Sequence, residues 1–308
     1  MFSVVFPGQG SQKIGMAKEF FDNFEIVKNI FKEADNLLEL PITKIILEGP
    51  DEKLNLTENT QPAIFLTSYA IFTVATKEFG VNFDKTNYIA GHSLGEYSAL
   101  CCYGALKFED TLKILKKRGK AMQDAVPAEE GSMLAVLGSD LKKIEDFLKI
   151  KKHQCYIAND NSPQQVVLSG FKKNIDLFSE DLDKLKIKNI KLNVSAPFHC
   201  KLMKTATENM REKILNLNFK NIKIPIISNY TAKPSISNYE IKNLLVSQIE
   251  GRVRWMESVE FMINEGTKNF IEIGPGKVLS GLIRRINKNV NFKSINSVQD
   301  IKELNLYV

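Results

Sequence analysis

Strand-like runs alternate with helical patterns along this 308-residue chain, and that alternation restricts the fold more than any other feature. Residues 2–6 predict a first strand, 16–38 a helix, and 62–79 a mostly buried helix with Pro62 in its first turn. Short strand-like runs follow at 88–90 and 270–273. The pattern predicts an α/β fold with a largely parallel sheet.

The middle of the chain has a different rhythm, in which strands and helices follow one another in the order βαββαβ. The six segments, in chain order, are 133–137, 141–150, 154–158, 166–169, 174–185 and 190–194. This order over about 65 residues is typical of the ferredoxin-like unit. We therefore predict a small ferredoxin-like subdomain at 127–195, which interrupts a large α/β domain formed by 1–126 and 196–308.

The composition is that of a compact globular protein, with 44% hydrophobic and 25% charged residues. The apolar run at 63–75 is broken by Thr67, Ser68 and Thr73 and is shorter than the ~18 apolar residues of a membrane span, so we expect no membrane segment. The net charge of +6 is too diffuse to imply binding to nucleic acid.

The four cysteines form no C-x-x-C pair, and no spacing of cysteine and histidine suits a zinc site. We therefore expect neither a disulfide framework nor a metal. The first residues are strand-like and do not resemble a signal peptide, so a cytoplasmic location is expected. Three histidines leave only three candidates for imidazole chemistry.

The segment Gly91-x-Ser93-x-Gly95 has the pattern of a nucleophile elbow, between a predicted strand and a predicted helix at 96–102. Such a turn holds the serine in a strained backbone conformation and needs glycines on both sides, because side chains there would clash. A structural Gly-Ser turn is the alternative. The elbow interpretation makes the large domain α/β-hydrolase-like and Ser93 a nucleophile.

A nucleophilic serine needs a base, and histidine is the usual one. His92 is adjacent to Ser93 in a sharp turn, which directs neighbouring side chains apart, and His153 lies in a polar loop of the inserted unit. His199 lies where the chain returns to the large domain. By elimination His199 is the candidate base; its alternative is a capping or core role.

An oxyanion hole would take one backbone N–H from Leu94, the residue after the nucleophile, and a second from a glycine-rich turn after another strand. The turn at 7–12, Pro-Gly-Gln-Gly-Ser-Gln, fits that place. Its alternative is a phosphate-binding loop, but it lacks the Lys-Ser/Thr pair and the third glycine of a nucleotide fingerprint.

No third member of a triad is evident. Eight aspartates lie between Ser93 and His199, and none of them follows a strand in a distinctive way. A Ser-His dyad oriented by a carbonyl or amide group is as plausible as a full triad. The residues alone therefore leave acyl transfer and ester hydrolysis both open.

Seven segments together resemble the malonyl-CoA:acyl carrier protein transacylases of dissociated (type II) fatty-acid synthesis. In family order they are Phe6-Pro7-Gly8-Gln9-Gly10-Ser11-Gln12, Thr60-Gln61-Pro62-Ala63, Gly91-His92-Ser93-Leu94-Gly95-Glu96-Tyr97-Ser98-Ala99-Leu100, Arg118-Gly119-Lys120-Ala121-Met122-Gln123, Asn161-Ser162-Pro163, Val194-Ser195-Ala196-Pro197-Phe198-His199 and Glu272-Ile273-Gly274-Pro275-Gly276-Lys277-Val278-Leu279. Seven motifs in register are far more specific than one G-x-S-x-G pattern.

The resemblance implies a role for each matching position. Ser93 would be acylated and His199 would be its base, with Gln248 orienting that histidine. The other implied site residues are Gln9 and Leu94 in the oxyanion hole, Arg118 as the clamp for the malonyl carboxylate, and Gln61, Phe198 and Met122 in the pocket. From its own residues, Arg118 is one of the solvated charges of a basic helix, together with Lys113, Lys116, Lys117 and Lys120.

The implied activity is transfer of a malonyl group from malonyl-CoA to the phosphopantetheine thiol of an acidic acyl carrier protein, by a ping-pong route through malonyl-serine. No cofactor, nucleic acid or membrane is expected, and the chain is expected to be a monomer. Two alternatives stay open at this point: a serine hydrolase or thioesterase of short acyl esters, and a non-catalytic protein that binds acyl carrier protein.

Overall fold

The computed structural model describes residues 1–127, 129–194 and 196–306. Ala128 and Ser195, which belong to the predicted ends of the subdomain, lie outside the described residues. The strands are Phe2–Phe6 (β1), Ile89–Gly91 (β2), Gly131–Leu137 (β3), Cys155–Ser162 (β4), Gln165–Phe171 (β5), Asn189–Lys191 (β6), Ile226–Ile227 (β7), Pro234–Ser235 (β8), Val253–Arg254 (β9), Asn269–Ile273 (β10) and Asn291–Ile295 (β11).

The α-helices surround these strands and connect them. They are Lys18–Asn23 (α1), Glu25–Leu38 (α2), Ile42–Glu48 (α3), Asp51–Asn55 (α4), Thr57–Lys77 (α5), Gly95–Cys102 (α6), Phe108–Asp124 (α7), Leu141–Lys151 (α8), Lys172–Lys184 (α9), Lys204–Leu215 (α10), Asn238–Gln248 (α11), Trp255–Asn264 (α12), Val278–Ile286 (α13) and Val298–Lys302 (α14). Short 3₁₀ turns follow at Lys201–Met203 and Glu303–Leu306.

The main sheet has six strands in the order β11-β10-β1-β2-β7-β8, and every neighbouring pair is parallel except β7 with β8. Strand β1 is buried along its whole length, and its side chains alternate between two apolar clusters: Val4 and Phe6 face one, Val5 the other. Helices therefore cover both faces, which explains the continuous apolar sequence of this strand. The prediction of a mixed α/β fold is confirmed.

The second sheet has the order β6-β3-β5-β4-β9. Its first four strands pair antiparallel, and they come with α8 and α9 from the continuous segment between Gly131 and Lys191. Strand β9 joins the edge parallel to β4 from the last third of the chain. An apolar cluster of its own, including Leu134, Ile144 and Phe178, lies between this sheet and its helices.

Two of the predicted helices were wrong in their bounds. The single helix expected at 16–38 is interrupted at Phe24, whose extended backbone ends α1 and begins α2. Helix α5 begins at Thr57, so Pro62 lies inside it and not in the first turn. The earlier start depends on a tertiary partner, since the Thr57 N–H donates to Oε1 of Gln123 at 3.0 Å.

Helix α5, with 21 residues, is the longest helix of the described residues and packs along α7. Within the described ranges, no helix is long and apolar enough to pass through a membrane. Cys101, Cys102, Cys155 and Cys200 are free thiols.

Candidate active site

The turn between β2 and α6 has the close packing that a nucleophile elbow requires. A Cβ atom on Gly91 would lie 1.9 Å from the carbonyl carbon of Gly95, and one on Gly95 would lie 2.2 Å from the carbonyl oxygen of Phe6. Both distances are far shorter than any non-bonded contact of a Cβ atom, so only glycine fits at either position. The strand–turn–helix context predicted for Ser93 is present.

Ser93 has a positive φ of 54°, a conformation that costs free energy in a non-glycine residue. Three hydrogen bonds hold the turn. The Ser93 N–H donates to Oδ1 of Asn229 at 2.7 Å, Nδ2 of Asn229 donates to the Gly91 carbonyl at 2.7 Å, and Nε2 of Gln248 donates to the Ser93 carbonyl at 3.0 Å. Two buried amide side chains therefore stabilise the strained turn.

The hydroxyl of Ser93 is paired with His199, 106 residues away in the sequence. Oγ of Ser93 lies 2.8 Å from Nε2 of His199, and Nδ1 of that ring lies 2.9 Å from the Gln248 carbonyl. A carbonyl only accepts, so Nδ1 carries the proton and Nε2 accepts the serine proton. Burial, and secondly the charge of Arg118, lower the pKa of His199 to about 3, which keeps the ring neutral.

The structure assigns the contact of Gln248 with the histidine to its backbone. The carbonyl oxygen receives the Nδ1 proton, whereas the side-chain amide lies between Ser93, Glu96 and Arg118. The arrangement is a dyad oriented by a carbonyl, which is one of the two alternatives that the sequence left open. The Gln248 side chain therefore bonds the turn and Arg118, whereas the histidine is bonded by the backbone of this residue.

Arg118 is wholly buried, so its interpretation as a solvated charge was wrong. Its Nη1 donates to Oε1 of Gln61 at 2.9 Å, and its Nη2 donates to Oε1 of Gln248 at 2.8 Å and to Oγ of Ser93 at 3.1 Å. The guanidinium thus lies directly beside the hydroxyl of Ser93. Burial lowers the pKa of Arg118, but the group starts from so high a value that it stays protonated.

The helical period explains why Arg118 points inward. It lies three residues after Leu115 and four before Met122, on the buried face of α7, while Lys113, Lys117 and Lys120 are exposed. The next residue, Gly119, lets α5 come close, because a Cβ there would lie 2.5 Å from the Thr57 carbonyl oxygen. This spacing is the signal in the sequence that could have located Arg118.

The other two histidines have different partners. Nε2 of His92 lies 2.9 Å from Oδ1 of Asn161, and burial lowers the pKa of that imidazole. Nε2 of His153 lies 3.1 Å from a carboxylate oxygen of Asp181, and the ring is partly buried, so His153 is not the free surface residue expected from its polar loop. The elimination that selected His199 agrees with these contacts.

The glycine-rich turn after β1 packs against the elbow. A Cβ on Gly8 would lie 2.5 Å from the His92 carbonyl oxygen, and the His92 N–H donates to the Phe6 carbonyl at 3.0 Å. Among the described residues, the backbone N–H groups of Gln9 and Leu94 have no acceptor. Both residues line the same cavity as Ser93 and lie on neighbouring turns.

The cavity above Ser93 has a volume of about 350 Å³ and lies between the two sheets. The predicted pocket residues Gln61, Met122 and Phe198 line it. Its other wall comes from the second sheet, with Met133 and Val167 among its apolar residues. Within the described parts of the chain, no three His, Cys, Asp or Glu side chains are grouped so as to hold a metal ion.

The sequence interpretation missed two buried polar residues. Asn229 follows β7, and its side chain bonds Ser93 and Gly91 as described above. Glu96 is only 2% exposed and accepts the Asn229 backbone N–H. Burial raises the pKa of Glu96 to about 8, opposed by that N–H and by the charge of Arg118. A polar residue two positions after the end of a buried strand was the available signal for Asn229.

A strained serine with a neutral histidine base, free backbone donors and a buried guanidinium defines the class of serine-dependent acyl-transfer enzymes. Residues 3–305 match the family described as the acyl transferase domain. A malonyl CoA-acyl carrier protein transacylase of Bacillus subtilis is 43% identical over 302 residues, which cover 97% of this chain and 94% of that protein.

Solved structures give the same result. The acyl-carrier-protein-S-malonyltransferase of Bartonella henselae superposes with a TM-score of 0.95 at 40% identity, over 99% of this chain and 98% of the other. A malonyl-transacylase in complex with its type II PKS acyl-carrier protein superposes with a TM-score of 0.93 at 36% identity, over 98% and 97%. The chain belongs to the acyl transferase family and, within it, to the group of the malonyl CoA-acyl carrier protein transacylases.

Proposed function

We propose that this protein transfers a malonyl group from malonyl-CoA to the phosphopantetheine thiol of acyl carrier protein, through a malonyl ester of Ser93, and so supplies fatty-acid synthesis. One observation carries the proposal: Oγ of Ser93 lies 2.8 Å from the base His199 and 3.1 Å from Arg118. The proposed base and a cation suited to a carboxylate therefore both contact one atom, Oγ of the proposed nucleophile. The names of the relatives support the same donor and acceptor.

In the first half-reaction, Nε2 of His199 takes the proton of Ser93 as Oγ attacks the thioester carbonyl. The carbon–sulfur bond then breaks, and His199 returns the proton to the departing CoA thiolate. In the second half, His199 takes the proton of the phosphopantetheine thiol. The sulfur attacks the serine ester, and His199 protonates Oγ as the ester bond breaks. These steps move only protons and bonding electron pairs, so they need no metal or redox cofactor.

The N–H groups of Gln9 and Leu94 form the proposed oxyanion hole. Both are backbone donors on turns that contact each other, so their positions are set before substrate arrives. Preorganised donors stabilise the charge that develops in the tetrahedral intermediate without paying for reorganisation. The Ser93 N–H does not serve this purpose, because Asn229 accepts it.

Arg118 is the proposed clamp for the free malonyl carboxylate. Its two amino groups now donate to the side-chain oxygens of Gln61 and Gln248 and to Ser93. A carboxylate would replace a neutral acceptor with a charged one, and the planar guanidinium binds it through two parallel hydrogen bonds. The Phe198 ring, 6% exposed at the cavity wall, fills space that an α-methyl group of methylmalonyl would need.

We also propose that the chain has the two-domain organisation expected from the sequence. The strand order β6-β3-β5-β4, with α8 and α9 on one face, supports a ferredoxin-like subdomain at 127–195. The parallel strands with the elbow at the end of β2 support an α/β-hydrolase-like large domain at 1–126 and 196–308. The acyl group would then react between the two domains.

The acceptor partner is an acidic acyl carrier protein, and the net charge of +6 favours its approach. We propose that the enzyme acts as a monomer, because one chain supplies every group in the steps above. A cytoplasmic location is proposed because the described structure has four free thiols, which suits a reducing compartment.

Intact-mass analysis after mixing with malonyl-CoA tests the proposal. We expect one malonyl adduct, its absence from Ser93→Ala, and its discharge by phosphopantetheinylated acyl carrier protein faster than by water. No adduct on the wild-type protein would refute the enzymatic role. An adduct that is lost to water at the same rate with or without the carrier would identify a hydrolase. Parallel reactions with methylmalonyl-CoA and acetyl-CoA measure the strictness of the donor site.

A further inference from the structure

Glu96 is a buried carboxyl group that the reaction steps do not use. It lies in the first turn of α6, three residues after the nucleophile, and is 2% exposed. Both of its oxygens accept hydrogen bonds: Oε1 from the Asn229 backbone N–H, and Oε2 from Nε2 of Gln248 at 2.8 Å. Because both oxygens face donors, these contacts hold the ionised form of Glu96 and oppose the rise of its pKa to about 8 that burial causes.

The two partners of Glu96 hold the reacting groups. Asn229 bonds the strained backbone on both sides of the turn, at the Ser93 N–H and the Gly91 carbonyl. Gln248 connects to the Ser93 carbonyl through Nε2 and to Arg118 through Oε1. Glu96 is therefore hydrogen-bonded to Asn229 and Gln248, which hold the Ser93 turn. Gln248 also holds the guanidinium.

The orientation of the Gln248 amide is the critical variable. As it stands, both protons of Nε2 point to acceptors, one to Ser93 and one to Glu96, and Oε1 faces a donor of Arg118. If the amide turned over, its nitrogen would face the guanidinium, and its oxygen would face three other oxygens, those of Ser93, Glu96 and Asn229. The acceptor supplied by Glu96 favours the first orientation, because an unpaired buried polar group is costly.

We propose that Glu96 is a positioning residue of acyl transfer, which orients the Gln248 amide and thereby places Arg118 beside the nucleophile. The inference rests on the proposed function, because only a donor with a free carboxylate depends on Arg118. Glu96 acts through its neighbours and contacts no substrate. Its loss should therefore change the choice between acyl donors as well as the rate.

The test is Glu96→Gln, measured as the initial rate of Ser93 adduct formation with malonyl-CoA and with acetyl-CoA. The new amide accepts at one atom only, so either Asn229 or Gln248 loses its acceptor. We expect kcat/KM for malonyl loading to fall by about 10- to 100-fold, the value of one hydrogen bond to a charged group. Acetyl loading should fall less, so the ratio of malonyl to acetyl loading decreases.

A double-mutant cycle with Gln248→Ala tests the route of the effect. If Glu96 acts through Gln248, the ratio for the double variant is no lower than for Gln248→Ala alone. The matched control is Glu272→Gln. Glu272 is equally buried and accepts the backbone N–H groups of Leu279 and Ser280 at 3.0 and 2.8 Å. We expect this variant to lower the unfolding temperature and to leave the ratio unchanged.

An unchanged ratio in folded Glu96→Gln, or additive losses in the cycle, would overturn the inference. A change of the same size in Glu272→Gln would also overturn it, because general loosening would then explain the result. Should Glu96→Gln fail to fold, Glu96→Asp takes its place with the same expectation, since its shorter side chain cannot reach both partners. Wild-type protein that forms no malonyl adduct refutes the proposed function instead.

Discussion

Replacing Arg118 with alanine removes the group that we propose as the determinant of the acyl donor. The guanidinium donates from Nη1 to Gln61 and from Nη2 to Gln248 and Ser93, and it is wholly buried. Alanine would leave the side-chain oxygens of Gln61 and Gln248 without their donor. Malonyl-CoA would lose the partner of its carboxylate. Acetyl-CoA has no carboxylate, so it loses no such contact.

The size of the effect follows from the two hydrogen bonds that a guanidinium gives to a carboxylate. At about 1.5–3 kcal/mol for each bond to a charged group, their loss costs about 3–6 kcal/mol in the transition state. This corresponds to a decrease of about 10²- to 10⁴-fold in kcat/KM for malonyl loading. Acetyl loading should hold or rise, because the cavity becomes less polar.

The same variant should change the pH dependence of acetyl loading. The charge of Arg118 is the second cause of the low pKa of His199 after burial. Its removal raises that pKa toward the ordinary value of a histidine. Because the base works only when neutral, the loss of activity on the acid side should begin at a higher pH in Arg118→Ala than in the wild-type protein.

The assay is the initial rate of Ser93 adduct formation with each donor, read by intact mass between pH 4.5 and 8. Arg118→Lys is the matched control, since it keeps the charge but lacks the planar fork. We expect it to keep the flat pH profile of the wild-type protein over this range and to lose part of malonyl loading. Equal losses for malonyl and acetyl in Arg118→Ala would refute the role of Arg118 as a carboxylate clamp.

Three further predictions concern the turn, the base and the pocket. Gly95→Ala would place a Cβ 2.2 Å from the Phe6 carbonyl oxygen, so we expect loss of adduct formation and a lower unfolding temperature; wild-type loading would contradict the close packing. The pKa of His199, lowered to about 3 by burial, predicts that wild-type loading stays constant from pH 7 to pH 5; a midpoint near pH 6.5 would show an ordinary imidazole. Phe198→Ser should increase methylmalonyl loading relative to malonyl loading in parallel intact-mass reactions; an unchanged ratio would show that the ring does not limit the α-carbon.

The elbow and the order of the elements could be predicted because both depend on local rules. Glycine at 91 is required by the close approach of backbone atoms within one turn, and glycine at 95 belongs to the same local motif although its close contact is with Phe6 at the end of β1. The alternation of periods two and 3.6 reports strands and helices directly. The break at Phe24 and the early start of α5 were missed. Helix ends depend on capping partners that are distant in sequence, as the bond from Thr57 to Gln123 illustrates.

Sequence by itself determined the elbow at Ser93, the two glycines that shape its turn, and, through the family resemblance, the list of residues around it. Tertiary structure alone decided how those residues act. It placed Arg118 inside the fold, made the Gln248 backbone the partner of His199, and revealed Asn229 and Glu96 as supports of the turn. The physical reason is that burial and hydrogen-bond partners are set by contacts between residues that are far apart in the sequence, whereas a local pattern records only backbone sterics and which side of an element faces the core.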